Sequence, residues 1–340
     1  MRYAAVVHAK RDLRFECVAE EQLTPGSVRV RFGCGGICGS DLHYFLDGAV
    51  GNFAIAEPLV VGHEMAGEVA ELGAGVTGLA VGDRVAVNPS RHCGDCVRCR
   101  EGRTNLCANV YFMGSASKRP HMQGCFAETV VVRAEQCVKV PADFPLARAA
   151  LSEPVSVCVH AADRAGDLQG RSVLVIGAGP IGLFQTAVAK WRGAAKVVTT
   201  DLEPLALERA EAMGATRVHN AGEGPTPDAG TYDVVFECSG STRAIPAAFE
   251  AARRGAVMVQ VGMLPGEPFP VPFNIIVSKE LDVRGSFRFA DVYRQAVGLI
   301  VAGTIDVTPA ITATVPLADA VRAFELAADR KRSAKVILTA

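Results

Sequence analysis

The chain has 340 residues, enough for two domains at the usual allowance of about 150 each, and its 49% hydrophobic and 21% charged residues exclude a disordered protein. A formal net charge of −1 leaves no overall field to recruit nucleic acid or an anionic membrane. No apolar stretch reaches the ~20 residues of a membrane helix, MRYAAVVHAKRDLRF lacks the apolar core of a signal peptide, and an odd eleven cysteines suit reduced cytoplasmic thiols better than a disulfide framework.

In chain order, residues 1–150 read as short β runs at 28–38, 58–73, 83–89 and 126–132, separated by glycine turns. That pattern predicts a compact, barrel-like β domain. Into it is inserted HCGDCVRCREGRTNLC, with two residues between Cys93 and Cys96 and between Cys96 and Cys99, and seven between Cys99 and Cys107. Four thiolates from one loop can close a tetrahedron around zinc and leave no open position, so this is a structural site. The rival is an iron–sulfur cluster, but bacterial clusters favour a last gap of three residues followed by proline, and here Ala108 follows.

After Pro141–Pro154 the pattern changes. Strands at 172–177, 196–201, 232–240 and 255–262 alternate with helices that open at Pro180, at Glu203–Pro204 and near 242, which predicts a parallel sheet covered on both faces. From about 290 the tail carries a helix, the turn-rich TIDVTPAITATVPL, a helix near 318–329 and a last strand at 334–339 that can rejoin the first domain.

Gly177-Ala178-Gly179-Pro180-Ile181-Gly182 follows the first of these strands and opens a helix. Gly177 permits the turn, Gly179 lets a pyrophosphate approach the backbone, and Gly182 lets helix and strand pack. The helix N-terminus then supplies free N–H groups to the phosphates. Asp201 ends the next strand, where a carboxylate accepts ribose hydroxyls and repels a 2′-phosphate; no arginine follows it, which favours NAD over NADP. Val261 and Gly262, at the end of the 255–262 strand, are expected beside the same cofactor.

A second metal is expected from Cys38-Gly39-Ser40-Asp41-Leu42-His43 and Gly62-His63-Glu64, with Glu153 at the junction between the two halves. Cys38, His63 and a carboxylate leave one zinc position open, the arrangement of a catalytic ion. Singly, Cys38 reads equally as a small buried hydrophobe and His63 as a structural histidine. Their coincidence with a nucleotide fold and a four-cysteine lobe favours the metal.

GICGSDLH, GHEMAGEV, the four-cysteine lobe, SEPVSV and GAGPIG stand in the order seen in the zinc-containing medium-chain dehydrogenase/reductase family, which the chain resembles over almost its whole length. The resemblance implies an α/β molecule. A GroES-like β-rich catalytic domain is expected over 1–150 and 290–340, with the structural zinc lobe at about 89–110, and a Rossmann NAD-binding domain over 151–289. It also implies two zinc ions per chain. Cys38 and His63 match catalytic ligands, with Glu64 or Glu153 as the third. Asp41 matches the carboxylate that orients His63, Ser40 the hydroxyl that takes the substrate proton, and His43 a relay to solvent. Within the family the chain resembles the polyol branch. GSASKRPHMQGCFAE (114–128) and MVQVGM…GSFRF (258–289) are most similar to enzymes that oxidise the sugar acid L-idonate. A sorbitol- or xylitol-type polyol is the alternative substrate, and L-threonine a less favoured one. A sugar acid needs a cation for its carboxylate, for which Lys118, Arg119, His121 and Arg288 are the candidates. A cytoplasmic homotetramer is implied, with a dimer as the alternative.

Overall fold

The computed structural model describes residues 1–340. Its N-terminal half opens on a hairpin, Arg2–Ala9 with Asp12–Val18, whose first strand also pairs with Leu59–Val60. Beside it lies a seven-stranded sheet. Its order is Cys137–Lys139, Arg84–Val87, Glu64–Leu72, Ser27–Gly36, Lys335–Thr339 and Ile311–Pro316, with Thr129–Arg133 paired to a further part of Ser27–Gly36. Val28, Val30, Phe32, Met65, Val69, Val85 and Phe126 fill the space between these strands. The central strands are buried on both faces over much of their length, and Thr129–Arg133 alternates buried with half-buried or exposed residues.

The second half is a six-stranded, wholly parallel sheet. The strands run Arg217–Asn220, Lys196–Asp201, Ser172–Ile176, Tyr232–Glu237, Ala252–Gln260 and Asp282–Gly285. Numbered along the chain this is 3-2-1-4-5-6, so the strand order reverses beside Ser172–Ile176. Ligands of open α/β sheets bind outside the carboxyl ends of the strands at such a reversal.

Two departures from the sequence patterning bear on the site. LSEPVSVCVH was read only as a junction, yet Ser152–Ala165 is a helix that packs along the Pro180–Trp191 helix. Pro154 sits in its first turn, where its missing N–H costs nothing, and eleven of its fourteen residues are buried, so no polar face advertises it. The stretch read as turn-rich holds a strand, Ile311–Pro316, parallel to Lys335–Thr339 and joined to it through the Ala320–Ala328 helix. The last strand in turn pairs Ile337 with Gly36, Leu338 with Gly35 and Thr339 with Cys34. The C-terminal tail is therefore part of the first sheet, and its Lys335 arrives beside Glu64.

Candidate active site

The strand Ser27–Gly36 ends two residues before Cys38, which caps the helix Gly39–Asp47. Asp41 fixes that corner. One of its carboxylate oxygens accepts the Cys38 N–H at 3.0 Å, and the other accepts the Gly62 N–H at 3.0 Å, just before His63. A fully buried carboxylate thus ties together the two backbone segments that carry Cys38 and His63. Its distance to His63 Nδ1 is 3.6 Å, an electrostatic contact longer than a hydrogen bond. The resemblance had Asp41 orient the imidazole; in this geometry its hydrogen bonds go to the backbone on either side.

Cys38 Sγ, a His63 ring nitrogen and a Glu64 carboxylate oxygen lie within 4.8 Å of one another. Glu64 Oε1 is paired with Lys335 Nζ at 2.6 Å, and Lys335 also donates to the Ile37 carbonyl at 2.8 Å. Gly36 makes room for this pair, since a Cβ there would lie 2.1 Å from Glu64 Oε2. Glu153, in the first turn of its helix, is buried near the same cluster. Burial pushes its carboxyl up to about 7, with Glu64 adding to the rise and His63 opposing it. Burial opposes charge on His63, yet Asp41 and Cys38 override it and hold the imidazole well above its ordinary range.

A cation fits this set. His63 Nδ1 and Glu64 Oε2 are buried without a hydrogen-bond partner. Four groups that can be anionic (Cys38, Asp41, Glu64 and Glu153) face the cations Lys335 and His63, with Arg288 acting on Glu153, so a divalent ion removes repulsion as well as satisfying orphaned atoms. Thiolate, imidazole and carboxylate are the donors zinc prefers.

The second cluster fits zinc on distance. Cys107 and Cys93 sulfurs are 3.4 Å apart, Cys96 and Cys99 3.5 Å, and Cys93 and Cys99 3.9 Å. These are far beyond a disulfide and close to the edge, about 3.8 Å, of a tetrahedron with zinc–sulfur bonds of about 2.3 Å. The Cys99 and Ala108 amides pull the Cys96 thiol down to about 6, while desolvation pushes Cys99 up to about 12. Four thiols this close ionise together only around a cation.

At the strand-order reversal, Gly177 has φ +89°, and a Cβ on Gly182 would lie 1.7 Å from the Gly177 carbonyl. The helix from Pro180 has Gly179 as its N-cap with no side-chain cap, so its first N–H groups are free for phosphate. Ile181 lies in that first turn, its carbonyl accepting from the Cys158 thiol at 3.3 Å. Asp201 accepts from Ala178 N–H at 2.6 Å and from the Leu202 N–H at 2.7 Å, which sets the carboxylate against the glycine loop. Val261 and Gly262 donate to the Glu237 carbonyl at 2.9 and 2.8 Å, just past the paired ends of the neighbouring strands Tyr232–Glu237 and Ala252–Gln260. The residues present therefore fit a dinucleotide.

Three residues of this region escaped sequence reasoning. Lys335 looked like one strand residue among others. Glu237, wholly buried, accepts from the Ser239 N–H at 2.8 Å and from Gln260 Nε2 at 2.5 Å, shaping the cleft wall. Arg330 reaches over from the turn before the last strand, with its guanidinium 3.1 Å from where a Gly179 Cβ would be. A buried charge inside a strand pattern is a usable signal for Lys335 and Glu237; nothing local marks Arg330.

The substrate candidates separate. Arg288 lies 4.2 Å above the Phe112 ring, which itself packs against His63 at 5.5 Å. It forms no salt bridge; burial pulls its pKa down to about 10, with Tyr44 and Glu153 opposing. His121 is not available, because its Nδ1 hydrogen-bonds the Lys118 carbonyl at 2.8 Å and its Nε2 accepts from Ala56 N–H at 3.0 Å. Arg119 is exposed on an open recess shared with Asn52, Phe53, Ser117 and Lys118. Ser40 is half-buried at the start of the Gly39–Asp47 helix, and His43 is exposed and bonded to Asp47 at 2.9 Å.

A thiolate–imidazole–carboxylate centre beside a dinucleotide cleft, on this pair of sheets, defines a zinc-dependent alcohol dehydrogenase. Residues 24–142 match the alcohol dehydrogenase GroES-like domain, and 180–302 match the zinc-binding dehydrogenase model. The chain belongs to the zinc-containing medium-chain dehydrogenase/reductase family, with its GroES-like and Rossmann folds, and acts on CH–OH donors. It is 40% identical to L-idonate 5-dehydrogenase (NAD(P)(+)) of Escherichia coli K12 over 308 residues, 89% of each chain. Against sorbitol dehydrogenase of Bacillus subtilis 168 it is 37% identical over 317 residues, 91% of this chain and 88% of that one. The crystal structure of L-idonate 5-dehydrogenase from Escherichia coli K-12 MG1655 superposes with a TM-score of 0.95 at 37% identity, covering 100% of this chain and 98% of that one. These relatives place the chain among polyol and sugar-acid dehydrogenases.

Proposed function

We propose that the protein oxidises L-idonate at a secondary alcohol with NAD, and that Arg288 takes the substrate carboxylate. The observation that carries this is the Arg288 guanidinium. It has lost much of its water and forms no salt bridge, and it is held over Phe112 next to His63. A charge in that state gains most from a carboxylate, which it meets with two parallel hydrogen bonds. A neutral polyol leaves it unpaired.

Zinc held by Cys38, His63 and one of Glu64 and Glu153 supplies Lewis acidity that lowers the pKa of a hydroxyl, and the dinucleotide supplies the hydride acceptor. Glu64 is already tied to Lys335 through one oxygen, whereas Glu153 is not, so exchange between the two carboxylates is compatible with the geometry. Ser40 takes the hydroxyl proton. His43 stands three residues on, on the same face of the helix, and passes that proton to water. Arg330 meets the pyrophosphate opposite the helix N-terminus, and Asp201 meets the ribose. Cys93, Cys96, Cys99 and Cys107 hold a second, structural zinc. In this assignment 1–150 with 290–340 binds metal and substrate, and 151–289 binds the cofactor.

One panel tests the assignment: initial rates with L-idonate, sorbitol and L-threonine, each with NAD and with NADP. The highest kcat/KM is expected for L-idonate with NAD. Absence of turnover on L-idonate discards the sugar-acid reading, and preference for NADP discards the role given to Asp201. The relative named above carries NAD(P)(+) in its name, which makes the cofactor arm informative.

The active form is proposed to be a cytoplasmic homotetramer. No helix is long and apolar enough to cross a membrane. The strand Asp282–Gly285 ends its sheet with an open edge and an exposed Val283, and Phe273 and Val277 are exposed nearby on the adjoining helix. Such an edge is normally covered. Light scattering should give four times the chain mass of 35.7 kDa; twice that mass makes it a dimer, and one chain mass removes the proposal.

A further inference from the structure

The four-cysteine lobe touches more than its own sulfurs. Between Cys99 and Cys107 the chain must loop outward, and at the tip Thr104–Leu106 forms one short turn. Asn105 in that turn is buried and points out of the lobe. Its Nδ2 donates to the carbonyl of Phe287 at 2.8 Å, 182 residues away, and lies 3.4 Å from His160 Nε2. The base of the lobe is closed by Tyr111–Phe112 paired with Ser90–Arg91, and Phe112 is the ring beneath the Arg288 guanidinium. The lobe thus grips two consecutive residues, Phe287 by its carbonyl and Arg288 by its side chain.

That segment has little else to hold it. Phe287 is 39% exposed, so apolar burial does not fix it. Arg288 has φ +53°, a conformation that an L-residue keeps only when its surroundings impose it. Ser286 N–H is bound to Gln260 O at 2.9 Å on one side, and the next firm contact is Phe289 in the apolar cluster. Asn105 and Phe112 supply the constraint between these points.

We propose that the lobe has a specificity role: Asn105 is a positioning residue that holds the Arg288 guanidinium where the charged end of the substrate binds. The proposal rests on the reading of Arg288 as the carboxylate contact. A stability role alone would lower the melting temperature and metal content and leave substrate preference unchanged. A positioning role moves KM for a charged substrate and spares the chemical step.

The experiment compares Asn105→Ala, the shape-preserving Asn105→Leu and Arg288→Ala in the holoenzyme. Readouts are KM and kcat for L-idonate and sorbitol, NADH affinity by fluorescence titration, and zinc content. Both Asn105 variants are expected to raise KM for L-idonate about five- to tenfold, since a lost part-buried hydrogen bond is of that size. Expected alongside are kcat within about twofold, unchanged NADH affinity and zinc content, and a reduced preference for L-idonate over sorbitol. Arg288→Ala should give a larger rise of the same kind, and adding Asn105→Ala to it should change little. If Arg288→Ala raises KM and neither Asn105 variant does, the positioning role is wrong. If Arg288→Ala leaves KM unchanged, the carboxylate reading itself has failed. A fall in zinc content that accounts for the whole KM change makes Asn105 merely structural and overturns the proposal.

Discussion

Exchange of Cys38 for Ala abolishes turnover while NADH still binds. In the proposed centre Cys38 contributes the thiolate of a three-donor set, and the other two donors do not close on a cation unaided: Glu64 is half-committed to Lys335, and His63 is drawn toward Asp41. A Lewis acid supplies several kcal/mol of stabilisation to an alkoxide, so its loss lowers kcat by at least about a thousandfold. The proposed nucleotide cleft, with Gly177, Gly179, Gly182 and Asp201, lies on another sheet, so NADH affinity measured by fluorescence is expected to stay within about twofold of the parent value. Metal analysis should show the loss of one equivalent, with the four-cysteine ion retained. Near-normal turnover in this variant would sink the assignment of the catalytic centre, and loss of both ions would show that the two sites are not independent.

The parts legible in sequence were those that need particular residue types at fixed spacing. Cys93, Cys96, Cys99 and Cys107 could be read because a tetrahedron needs four sulfurs on one short loop. Gly177, Gly179 and Gly182 could be read because a Cβ at Gly182 strikes the Gly177 carbonyl. The alternating strands and helices from Ser172 to Gln260 matched their expected spans within a few residues, apart from the strand Arg217–Asn220, whose exposed and half-buried pattern carries no strong signal. Contacts made by distant segments were not legible. Lys335 and Glu64 are 271 residues apart, Asn105 and Phe287 are 182 apart, and nothing near either partner announces the other. His121 shows the reverse failure. Its place among Lys118 and Arg119 suggested an anion site, but the local turn takes Nδ1 through the Lys118 carbonyl and the distant Ala56 N–H takes Nε2.

The largest stability effect is expected at Lys335. Its ammonium is 1% exposed and its partner carboxylate wholly buried, at 2.6 Å. Burial opposes the charge on Lys335, yet Glu64 and Cys38 hold its pKa above the usual range, so the cation stays. Removing one member of such a pair strands the other, which costs about 3–5 kcal/mol, whereas removing both charges is often neutral. Lys335→Met should therefore lower the unfolding free energy by about that amount in urea titrations followed by circular dichroism, and Glu64→Gln added to it should restore most of the loss. The pH dependence has a definite sign. Without Lys335 the buried Glu64 carboxyl has a raised pKa relative to the unfolded chain, so the variant is closest to the parent in acid and falls behind as pH rises through that value. Chelation widens the gap, because a bound cation would neutralise Glu64 Oε2, which has no hydrogen-bond partner. A single variant that loses less than about 1 kcal/mol, or a double variant no more stable than the single, would mean that the Glu64–Lys335 pair does not hold the last strand to the metal centre.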